Sequence, residues 1–138
     1  MKIFLDTNII LDVLTKREPH YEMSAKVFEL CRRQYVEGIV SSLSFPTMAY
    51  VLRKEMDLER IFHSFEMLTK FFKISIVDNK VVTEAIASKR PDIEDSMQYF
   101  SALTSNADCI ISRDKTGFKG LYLEVFSPTE FMGKVEKF

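Results

Sequence analysis

The 138-residue chain has few of the residues from which several common kinds of site are built. Its four glycines form no glycine-rich phosphate-binding loop, and the chain has no GxSxG motif of a serine hydrolase. Cys31 and Cys109 form no CxxC pair and have no histidine beside them, so we expect buried reduced thiols rather than a disulfide or a zinc site. His20 and His63 are not spaced with carboxylates or cysteines as metal ligands.

An excess of charge of one sign and long apolar runs are also missing. Nineteen basic and twenty acidic residues give a net charge of −1, so any contact with nucleic acid must use a local basic patch or metal ions. No apolar segment approaches the ~18 residues that a membrane-spanning helix needs, and the first strand begins too early for a signal peptide. We therefore expect a cytoplasmic protein with no membrane segment.

The apolar pattern predicts strands that alternate with helices in a single domain, residues 1–138. The strands are nearly all apolar, as expected when both faces of a sheet are covered. This order favours an α/β fold with a mainly parallel five-stranded sheet and helices on both faces. The predicted strands are Lys2–Asp6, Gly38–Ser41, Ile74–Val77, Asp108–Ser112 and Leu123–Phe126. The predicted helices are Ile9–Leu14, Tyr21–Tyr35, Ser44–Lys54, Leu58–Phe72, Lys80–Ser88, Glu94–Ser105 and Pro128–Val135.

Acidic residues stand at the ends of several predicted elements. Asp6 ends the first strand, Asp114 follows the fourth, and Glu94 and Asp95 begin the helix that leads into the fourth. In a parallel α/β sheet, ligands bind outside the carboxyl ends of the strands, where the strand order reverses. Carboxylates that converge there repel each other unless a cation such as Mg²⁺ is present. A metal ion held by carboxylates can activate water and stabilise the charge that develops on a phosphodiester.

Each acid also has an ordinary structural explanation. Asn8 is a good N-cap for helix Ile9–Leu14, and Asp6 fits a turn. Asp95 complements the positive end of a helix dipole, and Asp114 fits a turn before Gly117. Taken singly, each acid is more often structural than catalytic, whereas the joint pattern in an α/β fold favours a site.

Three segments resemble the PIN-domain family, in the right order and over nearly the whole chain. They read FLDTNIILD, VSSLSFPTMAYVLRK and IEDSMQYFSALTSNADCIISRD. The resemblance implies a three-layer α/β/α sandwich, dependence on Mg²⁺ or Mn²⁺, and ribonuclease activity on single-stranded RNA. Many small bacterial members are VapC-type toxins that a small antitoxin protein neutralises. By motif, Asp6, Asp95 and Asp114 would be the catalytic, metal-binding carboxylates, and Asn8 and Ser112 would line the site.

The chain departs from the family pattern at one position. The family usually has a glutamate in the helix after the second strand, and Thr47 stands at that place. A hydroxyl brings an oxygen but no charge. Glu94 could compensate, although neighbouring residues of a helix point about 100° apart; Asp92 and Asp12 are weaker candidates. Two functions therefore stay open, an active ribonuclease and a catalytically weakened PIN-like module that binds protein or RNA.

Basic and apolar side chains predict two contact surfaces. Arg113 and Lys115 flank Asp114 and are the preferred contacts for RNA phosphates, with a solvated surface as the alternative. Helices Ser44–Lys54 and Leu58–Phe72 carry more apolar side chains than one core face needs. We therefore expect a homodimer and a groove on these helices that takes an amphipathic segment of an antitoxin. Further basic candidates for RNA contact are Arg53, Lys54, Lys89, Arg90 and Lys119.

Overall fold

Five parallel strands form the central sheet of the computed structural model, which describes residues 1–136. The strand order is β3-β2-β1-β4-β5, and the predicted mainly parallel sheet is confirmed. The strands are β1 (Lys2–Leu5), β2 (Glu37–Ser41), β3 (Lys73–Ser75), β4 (Cys109–Ile111) and β5 (Val125–Phe126).

Helices cover both faces of the sheet, which confirms the three-layer α/β/α architecture. One face packs against α1, α2, α3, α4 and α7, and the other packs against α6, with α5 beside it. The helices are α1 (Thr7–Leu14), α2 (Tyr21–Arg32), α3 (Ser44–Leu52), α4 (Leu58–Phe71), α5 (Asn79–Ser88), α6 (Ile93–Thr104) and α7 (Pro128–Val135). A short 3-10 helix, Thr116–Phe118, follows β4 and was not predicted.

The strand residues divide between two hydrophobic cores. Ile3 and Leu5 of β1 belong to the core under α1–α4 and α7, whereas Phe4 between them belongs to the core under α6. In β4, Ile111 belongs to the first of these cores and Ile110 to the second. Successive side chains of a strand point to opposite faces, so a strand covered on both sides needs apolar residues throughout.

The strand order reverses between β1 and β4. The chain passes from β1 to β2 on one side, and β4 later pairs with the other side of β1. Leu5 and Ile111, the last residues of these strands, are register partners. Asp6 and Ser112 therefore follow the two central strands side by side, at the switch point where ligands bind in such sheets.

Local hydrogen bonding corrects several predicted bounds. Asp6 lies outside β1 and is the N-cap of α1, so the alternative assignment of the N-cap to Asn8 is wrong. β3 ends at Ser75 rather than Val77 because its partner strand β2 ends opposite, at Ser41. Helix α2 ends three residues early, before the positive φ of Gln34.

Other sequence expectations agree with the structure. Ser127 and Glu130 form the predicted capping box at the start of α7. Both cysteines are buried and free. Within residues 1–136, no helix combines the length and the apolarity needed to cross a bilayer.

Candidate active site

Asp6 is fixed at the carboxyl end of β1 by both neighbouring elements. Its backbone N–H donates to the carbonyl of Ile111 at 3.0 Å. Its side chain is buried; Oδ1 accepts from the backbone N–H of Thr7 at 2.8 Å, and Oδ2 accepts from the hydroxyl of Ser112 at 2.7 Å. The same carboxylate thus caps α1 and holds the segment that follows β4.

Two features of Asp6 indicate a role beyond helix capping. Burial raises its pKa, and the charges of Glu94 and Asp114 act in the same direction, while hydrogen bonds to the ionised form lower it in part. Beside it, Asn8 donates weakly from Nδ2 to Asp6 Oδ2 at 3.4 Å. The Oδ1 of Asn8 is buried and has no hydrogen-bond partner among residues 1–136. An unpartnered oxygen beside a buried carboxylate suits a cation or a water bound to it.

Ser112 connects Asp6 to Asp114. Its hydroxyl is fully buried, donates to Asp6 and accepts from the backbone N–H of Asp114 at 3.0 Å. The Asp114 side chain is exposed, and its Oδ1 accepts from the hydroxyl and the backbone N–H of Thr116, at 2.5 and 3.1 Å. These hydrogen bonds hold the pKa of Asp114 below its usual range. Asp114 therefore shapes a turn, as the structural explanation has it, and also supplies a carboxylate that ionises readily.

Asp95 lies in the first turn of α6 without capping the helix. The N-cap is Asp92, whose Oδ1 accepts from the backbone N–H of Asp95 at 3.1 Å. Burial raises the pKa of Asp95 to about 6, and the charges of Asp92, Asp6 and Asp114 act in the same direction. The three acids singled out by sequence therefore act on one another electrostatically at one edge of the sheet.

A cavity of about 220 Å³ lies against Asp95 and Asp114. The loop after Asp114 forms one wall, and a Cβ atom at Gly117 would overlap with Oδ2 of Asp95. Arg90 forms another wall and donates from Nη2 to the carbonyls of Lys119 and Gly117, at 2.8 and 3.4 Å. Arg90 thus holds this loop against the carboxylate of Asp95 and places a positive charge among acids.

Thr47 contacts one of the acids of the neighbouring helix. Its hydroxyl donates to Oε1 of Glu94 at 3.5 Å, which joins α3 to the first turn of α6. The charge of Glu94 is among those that raise the pKa values of Asp6 and Asp95. Thr47 carries no charge, and the structure places the carboxylate of Glu94, from α6, beside it.

A buried polar network joins the helices that carry these side chains. Gln98 donates from Nε2 to the hydroxyls of Thr7 and Ser44, at 3.1 and 3.2 Å, and those two hydroxyls lie 2.7 Å apart. Thr7 begins α1 and Ser44 begins α3, so Gln98 fixes these two helix starts relative to the middle of α6. The sequence analysis missed this residue. Its signal is a polar side chain three positions after Asp95, on the same helix face.

The loop residues around the cavity were also missed as parts of the site. In the sequence, Gly117 was considered only as part of a turn after Asp114 and Thr116 was not considered, yet Thr116 binds the Asp114 carboxylate and Gly117 packs against Asp95. The signal for them is an aspartate followed within three residues by a hydroxyl and a glycine, directly after a predicted strand.

The two basic residues preferred for RNA contact form ion pairs within the chain. Arg113 donates from Nε and Nη2 to the carboxylate of Asp12, at 2.7 and 3.1 Å, and Asp12 is fully buried. Lys115 Nζ lies 3.0 and 3.1 Å from the two carboxylate oxygens of the exposed Glu130. Contact of either residue with RNA stays a prediction, and Asp12 is engaged by Arg113 rather than by the acidic site.

The donor atoms fit a hydrated divalent cation. Within the described part of the chain, no three histidine, cysteine or acidic side chains are close enough to form a ready-made metal cluster. Mg²⁺, however, commonly binds through one or two carboxylates and keeps several waters. The carboxylates of Asp6, Asp95 and Asp114 and the amide oxygen of Asn8 are hard oxygen ligands, which Mg²⁺ and Mn²⁺ prefer.

Comparison with known proteins agrees with this fold. The family model for the PIN domain matches residues 2–116. Ribonuclease VapC1 of Aquifex aeolicus (strain VF5) is 26% identical over 135 residues, which cover 94% of this chain and 92% of that protein.

Solved structures with the same fold include a VapBC complex and a VapC toxin. VapBC2 of Rickettsia felis, bound to a DNA fragment from its promoter, superposes with a TM-score of 0.69 at 17% identity and covers 92% of this chain and 98% of its own. VapC20 of Mycobacterium tuberculosis, a toxin that cleaves the sarcin–ricin loop, gives a TM-score of 0.71 at 9% identity, over 89% of this chain and 98% of its own. These two likenesses establish the fold, and the family model covers most of the sequence. The chain therefore belongs to the PIN-domain family.

Proposed function

We propose that this protein is an endoribonuclease that depends on Mg²⁺ or Mn²⁺ and hydrolyses phosphodiester bonds of single-stranded RNA. The observation that carries the proposal is the buried carboxylate of Asp6 beside the unpartnered Oδ1 of Asn8. A carboxylate whose pKa is raised by burial opposes folding, and such groups concentrate at functional sites. Membership of the PIN-domain family and similarity to ribonuclease VapC1 support the same activity.

The side chains divide the work at this site. Asp6, Asp95 and Asp114 would hold the metal ion, and the amide oxygen of Asn8 would bind the ion or its water shell. When bound, such an ion activates water and stabilises the charge that develops on the phosphodiester. Ser112 keeps Oδ2 of Asp6 oriented through its 2.7 Å hydrogen bond.

A cleavage assay on labelled single-stranded RNA tests this function. In Mn²⁺, the wild type should cleave. Asp6→Asn should lower the rate by about 100-fold or more, because a carboxylate that would hold the metal ion is lost and with it the charge stabilisation that the ion supplies. Glu37→Gln removes a carboxylate at the opposite, amino end of the sheet and should leave the rate unchanged. Equal cleavage by Asp6→Asn and wild type, or cleavage that persists in EDTA, would overturn the proposal.

We further propose that the protein acts in the cytoplasm as the toxin of a toxin–antitoxin pair. Its structural neighbours include VapBC complexes. Helix α4 exposes Leu58 and Phe62 one turn apart, 67% and 54% exposed, so the apolar side chains of α3 and α4 do not all turn inward. This surface suits an amphipathic antitoxin segment or a second subunit.

Two experiments test the partner proposal. Expression of the wild-type protein in bacterial cells without an antitoxin should arrest the growth of those cells, whereas expression of Asp6→Asn should not. Light scattering at micromolar concentration should give the mass of a homodimer, and a double variant, Leu58→Ser with Phe62→Ser, should lower it. A strict monomer would contradict the dimer.

A catalytically weakened PIN-like module that binds RNA or protein is the second candidate. Thr47 favours it, because a neutral hydroxyl stands where the family usually has a glutamate. This candidate would be supported if the wild type bound RNA tightly but gave no metal-dependent product in the cleavage assay.

A further inference from the structure

Two cations at the end of α3 have no acidic partner in the described part of the chain. Arg113 and Lys115 are paired with acids, but Arg53 and Lys54 form no ion pair with any acid among residues 1–136. Both are exposed. Unpaired surface cations remain available for phosphate groups.

Tyr50 makes this a combined aromatic and basic surface. Its side chain is 57% exposed. The Cζ atom of Arg53 lies 4.5 Å from the ring centroid, and Nζ of Lys54 lies 5.6 Å from it. Proteins that bind single strands combine an aromatic face, on which a base stacks, with cations that contact the backbone.

The same helix connects this surface to the acidic site. Tyr50 follows Thr47 by three residues, so the two side chains lie on one face of α3, about 5 Å apart along its axis. Thr47 in turn contacts Glu94, the neighbour of Asp95, at 3.5 Å. A strand of RNA that leaves the acidic site along α3 would therefore meet Tyr50 within one helical turn.

We propose that Tyr50, Arg53 and Lys54 form an RNA-binding surface in which one base stacks on Tyr50 and adjacent phosphates contact the two cations. This inference rests on the proposed function and names the residues that hold the single strand beside the reacting phosphodiester. The competing occupant is a protein. Two unpaired cations at one aromatic ring, in a chain of net charge −1, favour a polyanion.

Fluorescence anisotropy with a short labelled oligouridine, in EDTA to prevent cleavage, tests the proposal. Tyr50→Ala should weaken binding by about tenfold or more, and Tyr50→Phe should bind nearly as the wild type, because stacking needs only the ring. A double variant, Arg53→Gln with Lys54→Gln, should reduce the slope of log affinity against log salt by about 1.4. Tyr35→Ala is the matched control, since Tyr35 is 69% exposed and precedes β2 at the amino end of the strands, away from the acidic site.

The outcomes separate this inference from the proposed function. If the wild type binds RNA and Tyr50→Ala binds equally well, the inference is wrong and the ribonuclease proposal stands. If the wild type does not bind RNA at all, both fail. If Tyr50→Ala instead changes the oligomeric mass in light scattering and leaves RNA affinity unchanged, the surface is a subunit contact and the inference is overturned.

Discussion

Replacement of Arg113 separates a role in stability from a role in RNA contact. Arg113→Leu removes the bidentate partner of Asp12, whose side chain is fully buried, while Arg113 is only 26% exposed. Removing one member of a buried ion pair costs about 3–5 kcal/mol, because a buried charge is left without compensation. Ser24, which donates to Asp12 at 3.2 Å, and Arg17, at 3.9 Å, remain and reduce this cost. We therefore expect a loss of about 2–4 kcal/mol.

Thermal unfolding followed by circular dichroism measures this loss. For a domain of this size, the expected fall in Tm is roughly 6–16 °C. Lys115→Gln is the matched control, because it breaks an exposed ion pair and should cost at most about 1 kcal/mol. The double variant Asp12→Leu with Arg113→Leu should recover part of the stability, since it leaves no unpaired buried charge.

The opposite result would refute the structural role of Arg113. If Arg113→Leu had the same Tm as the wild type and bound RNA more weakly, Arg113 would be the phosphate contact that its position beside Asp114 suggests. The ion pair with Asp12 would then contribute nothing measurable to the free energy of unfolding.

Three further predictions concern the acidic site. Burial and neighbouring charges raise the pKa of Asp95 to about 6, so Mn²⁺ affinity measured by calorimetry should fall as the pH drops below about 6. In EDTA, folding stability should fall as the pH rises from about 4 through 6, and Asp95→Asn should weaken that trend, because the raised pKa of Asp6 contributes the remainder. Gly117→Ala should displace the Asp95 carboxylate and weaken Mn²⁺ binding, whereas Gly133→Ala, with open space around it, should not. Thr47→Glu should tighten Mn²⁺ binding; unchanged affinity would mean that Glu94 already supplies the charge or that the family alignment at this position is wrong.

Element bounds that local signals set were predictable from the sequence, and bounds that depend on a partner strand were not. Helix α7 was predicted with the observed bounds because its capping box and first-turn proline lie within four consecutive residues. The edge strands β3 and β5 are shorter than predicted, because an edge strand continues only as far as its neighbour pairs with it. The apolar residues around Ile76 do not indicate where β2 stops pairing with β3, so the sequence alone could not place the end of β3 at Ser75.

The same division applies to the candidate site. Asp6 and Asp114 were recognisable because each follows an apolar strand, and parallel strands bring their carboxyl ends to one edge. The pairing of Arg113 with Asp12 joins residues 101 positions apart, and Gln98 donates to a hydroxyl 91 positions away. No local pattern encodes such contacts, so Arg113 was interpreted from its neighbour in sequence rather than from its partner in space.

Thermal stability of Asp6→Asn, with and without Mn²⁺, tests the central claim most directly. Asparagine keeps the shape and the capping oxygen of Asp6 but removes the charge whose pKa burial raises. In EDTA at pH 8, the variant should therefore melt above the wild type. Mn²⁺ at about 100 times its Kd should stabilise the wild type by about 2.7 kcal/mol and leave the variant unchanged. A variant that melts below the wild type in EDTA, together with a wild type that Mn²⁺ does not stabilise, would show that Asp6 is a structural carboxylate and contradict the account.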